Sequence, residues 1–168
     1  MSQLINIGSL CIDYVYSVTE IAKVGETVAS QSMSVFPGGK GLNQSIAAAK
    51  AGIKVVHFGA VGTDGSELVE FMQAAGVGVS NIVSLPGRTG HAVIQINSQG
   101  ENSIVIAGGT NREIPQKIIS NAVALAKGGG WILMQNETND VGEIIQLASA
   151  AGCKVALNLA PVDAHAQS

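Results

Sequence analysis

The chain has 168 residues, of which 46% are hydrophobic and 12% charged, and its formal net charge at pH 7 is −3. This length is enough for one globular domain with a substantial core. The absence of a basic cluster argues against a nucleic-acid partner, and no apolar run is long enough to cross a membrane. The chain start lacks a signal-peptide pattern, and Cys11 and Cys153 form no metal or redox motif. The composition therefore predicts a cytoplasmic protein.

The first third of the chain is predicted to contain two buried strands, with two extended segments and a helix between them. Residues 4–10 and 55–61 are rich in buried-strand residues. Between them, residues 11–18 and 27–36 are extended, because β-branched and aromatic residues dominate or alternate with polar ones. Residues 42–51 are rich in helix formers and end at a glycine, which is typical of a helix C-terminus.

The rest of the chain continues the alternation, apart from a β-rich interruption in the middle. A helix over 66–75 precedes a short extended stretch at 82–85 and a hairpin over 91–107. Helices are then predicted over 115–127 and 140–151, each followed by a buried strand, at 131–135 and 154–159. Strands that alternate with helices predict a parallel sheet covered by crossover helices.

The glycine-rich turn at residues 38–41 is the most informative local feature. It leads into the first helix, whose N-terminus could offer N–H groups to a polar or anionic ligand; the alternative is a turn that uses glycine only for close packing. The turn is not a Walker phosphate loop, because Gly41 follows Lys40 where that motif requires Ser or Thr. It also lacks the G-x-G-x-x-G pattern of dinucleotide sites.

Several segments together resemble the N-terminal half of a sugar kinase of the ribokinase (PfkB carbohydrate kinase) family. The resemblance runs nearly end to end, and the glycine-rich segment is its most specific part. The matching segments are 8–13, 25–27, 38–44, the hairpin from 89 to 106, 133–137 and 156–161.

The resemblance implies an α/β fold with a mostly parallel sheet, flanking helices and a small β-sheet lid. Residues 1–168 would form the N-terminal, sugar-binding part, with lid segments at about 11–36 and 82–107, truncated before the C-terminal nucleotide-binding half. The implied reaction transfers phosphate from ATP, with Mg²⁺, to a hydroxyl of ribose or a similar pentose or hexose. The catalytic base, the anion hole and most of the nucleotide pocket would lie in the other half, so no catalytic residue is assigned here.

The family pattern maps onto eight substrate-binding candidates in this sequence. They are Cys11, Asp13, Gly38, Gly39, Lys40, Gly41, Asn43 and Glu137. Asp13 can accept strong hydrogen bonds from sugar hydroxyls, and Asn43 can both donate and accept. Cys11 stands where the family commonly has Asn, and a thiol bonds weakly, so sugar binding should be weakened or redirected.

Other readings remain open at this point. The chain could bind a sugar without catalysis, act as an assembly part, or be a decayed product; its lid could also pair two copies into a dimer. Asp13 alone could be a turn or capping carboxylate, and Asp64 is expected to cap the helix that follows it. His57 and Trp131 are expected in the core, and three scattered histidines, His165 among them, do not make a metal site.

Overall fold

The structure is a computed structural model that describes residues 3–162. The strands in chain order are β1 (Leu4–Ile7), β2 (Cys11–Ser17), β3 (Ser32–Gly38), β4 (Val55–Val61), β5 (Gly78–Ser84), β6 (Gly90–Ile96), β7 (Asn102–Ala107), β8 (Trp131–Gln135) and β9 (Lys154–Asn158). The helices are α1 (Lys40–Lys50), α2 (Ser66–Ala74), α3 (Gln116–Ala126) and α4 (Val141–Ala150), and a 3₁₀ turn covers Gly109–Arg112.

Five strands form a parallel main sheet in the order β5-β4-β1-β8-β9. Successive side chains of a strand point to opposite faces, so the strands contribute side chains to a hydrophobic layer on each face of the sheet. Ile5 and Ile7 pack with α3 and α4 on one face, whereas Val55 and Leu42 lie in the layer with α1 and α2 on the other. The predicted mostly parallel sheet flanked by helices is therefore confirmed.

The remaining four strands form a separate small sheet in the order β3-β2-β6-β7. Strands β2 and β6 run parallel, and each pairs with an antiparallel partner on its outer side. Only residues 8–10 separate β1 of the main sheet from β2 of the small one. The two sheets therefore meet at this connection, and the small sheet predicted from the sequence is present.

The structure changes several of the expected boundaries. β1 ends at Ile7 instead of residue 10, and α1 begins at Lys40 instead of residue 42. The stretch at 82–85 was expected to begin the second lid segment, but β5 pairs in parallel with β4 in the main sheet. That segment of the small sheet accordingly starts at Gly90, because β5 completes a β-α-β crossover with α2.

His57 is fully buried as expected, but Trp131 is not a core residue. Trp131 is 45% exposed, since the alternation of β8 turns Ile132 and Met134 toward α3 and α4 and leaves Trp131 on the other face. The ammonium of Lys154 lies 5.6 Å from the centroid of its ring, a cation–π contact. His165 lies outside the described residues. Within 3–162, no helix has the length and hydropathy needed to cross a membrane.

Candidate functional site

A cavity of about 150 Å³ opens where the small sheet meets the N-terminus of α1. Six of the eight predicted site residues line it: Cys11, Asp13, Gly39, Lys40, Asn43 and Glu137. They come from three places in the chain, namely β2, the start of α1 and the turn after β8. Ala92, Ile94, Ile104 and Ile106 of β6 and β7 complete the wall. The fold thus gathers residues up to 126 positions apart in sequence around one space.

Gly38 and Gly41 do not line this cavity, and the structure gives them another role. A Cβ on Gly38 would overlap the Asp13 carboxylate, and a Cβ on Gly41 would overlap the backbone of Gly8 and Ser9. These two glycines therefore let the carboxylate and the β1–β2 connection lie directly against the main chain of the turn.

Gly39 needs glycine for its conformation as well as for space. Its φ is 98°, a left-handed value, and a Cβ there would come within 2.8 Å of the Ser9 carbonyl oxygen. Close packing onto the β1–β2 connection thus explains much of the glycine-rich sequence.

The first amides of α1 are already hydrogen-bonded within the chain. The Lys40 N–H donates to Glu137 Oε2 at 3.4 Å, and the Gly41 N–H donates to Ser9 Oγ at 3.2 Å. The Leu42 N–H donates to the Ser9 carbonyl at 3.0 Å. Of the two alternatives left open for this turn, these amides fit the packing one, because oxygens of the chain itself accept from them and they are not offered to a ligand.

Glu137 lines the cavity but is held by several donors. Its Oε1 accepts from Lys40 Nζ at 2.9 Å, and its Oε2 accepts from Ser9 Oγ at 2.5 Å. Glu137 is 7% exposed, so this ion pair is largely shielded from water on the carboxylate side. The pair ties the turn after β8 to the start of α1 and fixes one corner of the cavity.

Asp13 differs from Glu137 because its carboxylate accepts no hydrogen bond from the described residues. Burial and neighbouring charges alone determine its ionisation. Burial, followed by the negative charge of Glu137, raises the pKa of the Asp13 carboxyl, and Lys40 partly offsets this. Asn43 of α1 is exposed and lines the same cavity as Asp13. A carboxylate and an amide thus face one cavity with hydrogen-bonding capacity available to a ligand.

Cys11 lies beside Asp13 on β2 and is almost completely buried. Nδ2 of Asn111 donates to its Sγ at 3.6 Å. Burial, with the charges of Glu137 and Asp13, raises the pKa of the Cys11 thiol to about 12. The thiol is therefore neutral at pH 7 and is not a poised nucleophile.

Asn111 was not among the site residues predicted from the sequence. Its side chain binds the backbone where the chain passes from the main sheet to the small one. Its Oδ1 accepts from the Leu10 N–H at 2.9 Å, and its Nδ2 donates to the Leu10 carbonyl at 2.8 Å. The side chain thereby imitates a β-ladder partner for a residue between two strands. No local pattern marks this role, because Asn111 and Leu10 are 101 positions apart.

A buried polar layer lies beneath α1. Asn6 donates to the Gly41 carbonyl at 2.9 Å and to Ser45 Oγ at 2.8 Å. Ser45 also bonds Nδ1 of His57 at 2.8 Å, and Gln135 donates to Asn6 Oδ1 at 3.0 Å. Burial lowers the pKa of His57 to about 4, so its ring is neutral at pH 7. This layer fixes α1 to β1, β4 and β8.

Asp64 does not cap α2 as expected. The residue before the helix is Gly65, and no side chain caps the helix N-terminus. Asp64 Oδ1 instead accepts from the Thr89 N–H at 2.8 Å and from Thr89 Oγ1 at 2.7 Å. These bonds, the Thr89 amide first, lower the pKa of Asp64 to about 2 and fasten the α2 turn to the start of β6.

The apolar wall was also missed by the sequence reading. Ile104 and Ile106 lie on β7, and their cavity-facing side follows from the register that pairs Ala92 with Ile106 and Ile94 with Ile104. The hairpin was predicted, but a hairpin alone does not state which of its two faces meets another element. The pairing of β2 with β6 settles this, since it aligns Asp13 with Ala92.

Comparison with known proteins agrees with this architecture. A family model described as pfkB family carbohydrate kinase matches residues 1–167. The ribokinase of Haemophilus influenzae is 36% identical over 160 residues, which cover 92% of this chain and 52% of that protein.

The chain is also similar to solved structures over nearly its whole length, two of them ribokinases. One is a ribokinase from Cryptococcus neoformans in complex with ADP, with TM-score 0.85 and 35% identity, over 99% of this chain and 54% of that one. The other is Arabidopsis thaliana ribokinase complexed with ribose and ATP, with TM-score 0.77 and 29% identity, over 95% and 54% of the two chains. The chain spans about half the length of the curated relatives it matches. It belongs to the pfkB family of carbohydrate kinases.

Proposed function

We propose that this chain binds a monosaccharide, ribose or a similar pentose or hexose, as the sugar-holding part of an ATP-dependent carbohydrate kinase. The observation that carries the proposal is the pair of Asp13 and Asn43, which face one cavity with hydrogen-bonding capacity not used by the described residues. A carboxylate and an amide are suited to a polyol, because the former accepts and the latter both donates and accepts.

The eight candidates then fall into three roles. Asp13, Asn43 and the Gly39 backbone contact the sugar directly, with Cys11 as part of the wall. Lys40 and Glu137 present the remaining polar edge as an ion pair. Gly38 and Gly41 allow the close packing that puts these groups in position. In this proposal residues 1–168 supply sugar binding, and the small sheet acts as a lid over the cavity.

ATP and Mg²⁺ enter the proposal through the family alone. Among residues 3–162, no group of three or more His, Cys, Asp or Glu side chains is arranged to hold a metal ion. We therefore assign no residue of this chain to the nucleotide or the metal and expect the isolated chain to bind sugar without phosphoryl transfer.

Isothermal titration calorimetry with ribose tests the sugar proposal. Saturable one-site binding is expected, and Asp13→Asn and Asn43→Ala should each weaken it about tenfold, roughly the value of one charge-assisted or buried hydrogen bond. Glu143→Gln, on the exposed face of α4, is the matched control and should bind like the unmodified chain. Absence of binding, or equal binding by all four proteins, would refute the proposal.

A coupled ADP-release assay with ribose and MgATP tests the second part. The isolated chain is expected to show no turnover above background, and steady turnover would contradict that expectation. The chain can also be mixed with the C-terminal half of a full-length family member. If the chain then binds sugar saturably but still shows no turnover, the result would favour the second candidate, a non-catalytic sugar-binding or assembly protein.

Pairing of two copies through the small sheet is a further part of the proposal. Both faces of this sheet expose large apolar side chains: Phe36 is 52% exposed on the cavity side, and Val105 is 68% exposed on the other. Light scattering is expected to give twice the monomer mass, and Val105→Lys to reduce it. A monomer at 100 times the sugar-assay concentration would refute pairing.

A further inference from the structure

We propose that a second cavity, on the opposite face of the small sheet from the sugar cavity, binds a small organic cation, namely an amine carried on an apolar or aromatic body. This cavity, the α2 groove, has a volume of about 330 Å³ and lies between the small sheet and the start of α2. It shares no lining residue with the sugar cavity, so it lies outside the proposed function.

Strand β2 separates the two cavities. Ile12 and Tyr14 alternate with the residues that face the sugar cavity, so they point to the other face of the sheet and line the α2 groove. The β2–β3 register aligns Ile12 with Pro37 and Tyr14 with Val35, and aligned residues of neighbouring strands share a face. The groove therefore has a continuous apolar wall of four side chains.

Helix α2 supplies the opposite wall. Leu68 is 4% exposed and belongs to the hydrophobic layer of α1 and α2, against which Ile12 also packs. The Tyr14 ring makes an edge contact with the His91 ring, with centroids 6.2 Å apart. The volume lies at the low end of the range of roughly 300–1,000 Å³ typical of small-molecule sites, so the walls suit a compact ring system.

Three ionisable side chains form the rim of the groove: Asp64, Glu67 and Arg88. Asp64 Oδ2 accepts from Arg88 Nε at 3.3 Å, so these two charges largely offset each other. Glu67, in the first turn of α2, is exposed. Within residues 3–162 the ion pairs are Arg88 with Asp64 and Lys40 with Glu137, so Glu67 has no cationic partner in that part of the chain.

The rim thus carries one uncompensated negative charge beside an apolar wall. An ammonium group can donate to the Glu67 carboxylate while the body attached to it covers the wall. A carboxylate or phosphate on the same body would meet two carboxylates and one guanidinium, so the sign of the charge selects a cation.

NMR titration of the 168-residue chain with tryptamine tests the inference. The backbone amide signals of Val35, Glu67 and Leu68 should shift and saturate, with a dissociation constant on the order of a millimolar or below. The comparison ligand is 3-indolepropionate, which has the same ring and linker but the opposite charge, and it should bind at least about fivefold more weakly.

Two pairs of variants locate the site. Glu67→Gln should weaken tryptamine binding about fivefold, whereas Glu70→Gln, an exposed residue of the same helix that does not line the groove, should not. Val35→Lys should weaken it at least about tenfold, because it places a like charge in the groove. Its control is Met33→Lys, two residues earlier on the same face of β3 and 49% exposed against 52% for Val35.

The outcomes decide the inference without reference to the sugar. Absence of saturable tryptamine binding would overturn it, as would equal binding of 3-indolepropionate or equal effects within either pair of variants. No sugar enters these titrations, so a failure here leaves the sugar proposal standing, and a failure of ribose binding leaves the α2 groove standing. The amide spectra also report whether each variant is folded, and the Glu67 and Glu70 pair decides the matter should Val35→Lys not fold.

Discussion

Lys40 Nζ and Glu137 Oε1 lie 2.9 Å apart, and the same carboxylate also accepts from the backbone N–H of Lys40. One side chain from the turn after β8 therefore engages both the side chain and the first amide of α1. The two residues are 97 positions apart in sequence, so this contact joins two distant segments of the chain at one wall of the cavity.

Replacing Glu137 by Gln should show how much the cavity depends on this contact. The amide retains its shape but loses the charge that Lys40 and the helix N-terminus favour. The free energy of unfolding should fall by about 1–3 kcal/mol, and sugar affinity should fall with it. Urea titration and calorimetry measure the two. Glu143→Gln on exposed α4 is the control, and an equal effect of both substitutions would contradict the assignment.

Asp13→Asn should separate binding from stability. Because burial raises the pKa of Asp13, the folded state disfavours the ionised carboxyl, and the amide should leave stability at pH 7 unchanged or higher while sugar binding weakens. The ionised carboxyl's stability penalty is absent below pH 3.8, the usual Asp pKa, and develops as the pH rises through the raised folded value. The stability of the variant relative to the parent should therefore increase over that range.

Asp64→Asn provides a comparison of opposite sign. The bonds from Thr89 lower the pKa of Asp64 to about 2, so its contribution to stability is present above pH 3.8 and is lost as the pH falls toward 2. The Asn variant should be less stable than the parent at pH 7, and the difference should shrink in acid. Urea titrations from pH 2 to pH 7 measure both variants, and curves of the same sign would show that one assignment is mistaken.

Gly41→Ala tests whether the glycine-rich turn is needed for packing. Gly41 and Gly142 are both the second residue of a helix, in α1 and α4 respectively. A Cβ at Gly41 would overlap the backbone of Gly8 and Ser9, whereas nothing lies within 4 Å of a Cβ at Gly142. Gly41→Ala should destabilise the fold by about 1–3 kcal/mol, and Gly142→Ala should stabilise it by about 0.5–1 kcal/mol. Thermal unfolding compares them, and equal signs would refute the packing explanation.

Asn111→Asp tests the hinge between the two sheets. An ionised Asp can still accept from the Leu10 N–H but cannot donate to the Leu10 carbonyl. Because Leu10 immediately precedes Cys11, the loss should displace the wall and weaken sugar binding as well as lower stability by about 1–3 kcal/mol.

Asn139 offers a matched control for that variant. It bonds the N–H and carbonyl of Ile114 in the same two-pronged way, at 2.9 and 3.1 Å, but does not line the cavity. Asn139→Asp should lower stability at least as much, because Nδ2 of Asn139 also donates to Asp140 Oδ2 at 2.7 Å and a carboxylate there would repel it, and should leave sugar affinity close to that of the parent. Equal losses of affinity in the two variants would mean that Asn111 acts through general stability alone.

Local sequence determined the element types and their order, because helix ends, the glycines that terminate helices and the apolar runs of strands all depend on neighbouring residues. The glycine-rich turn at 38–41, the hairpin before Ala107 and the helices that flank the sheet could all be predicted in this way. The set of cavity residues could be predicted in part from the resemblance to the family, which also indicated Glu137 as a site residue.

The tertiary structure decided which hydrogen-bonding groups are available. The sequence could not show that Ser9 and Glu137 satisfy the first amides of α1, nor that Asp64 bonds Thr89 instead of capping its helix. It also could not assign β5 to the main sheet or identify Asn111 as the residue that holds Leu10. Each of these depends on strand register and on contacts between distant segments, and those are fixed only when both sheets pack around α1.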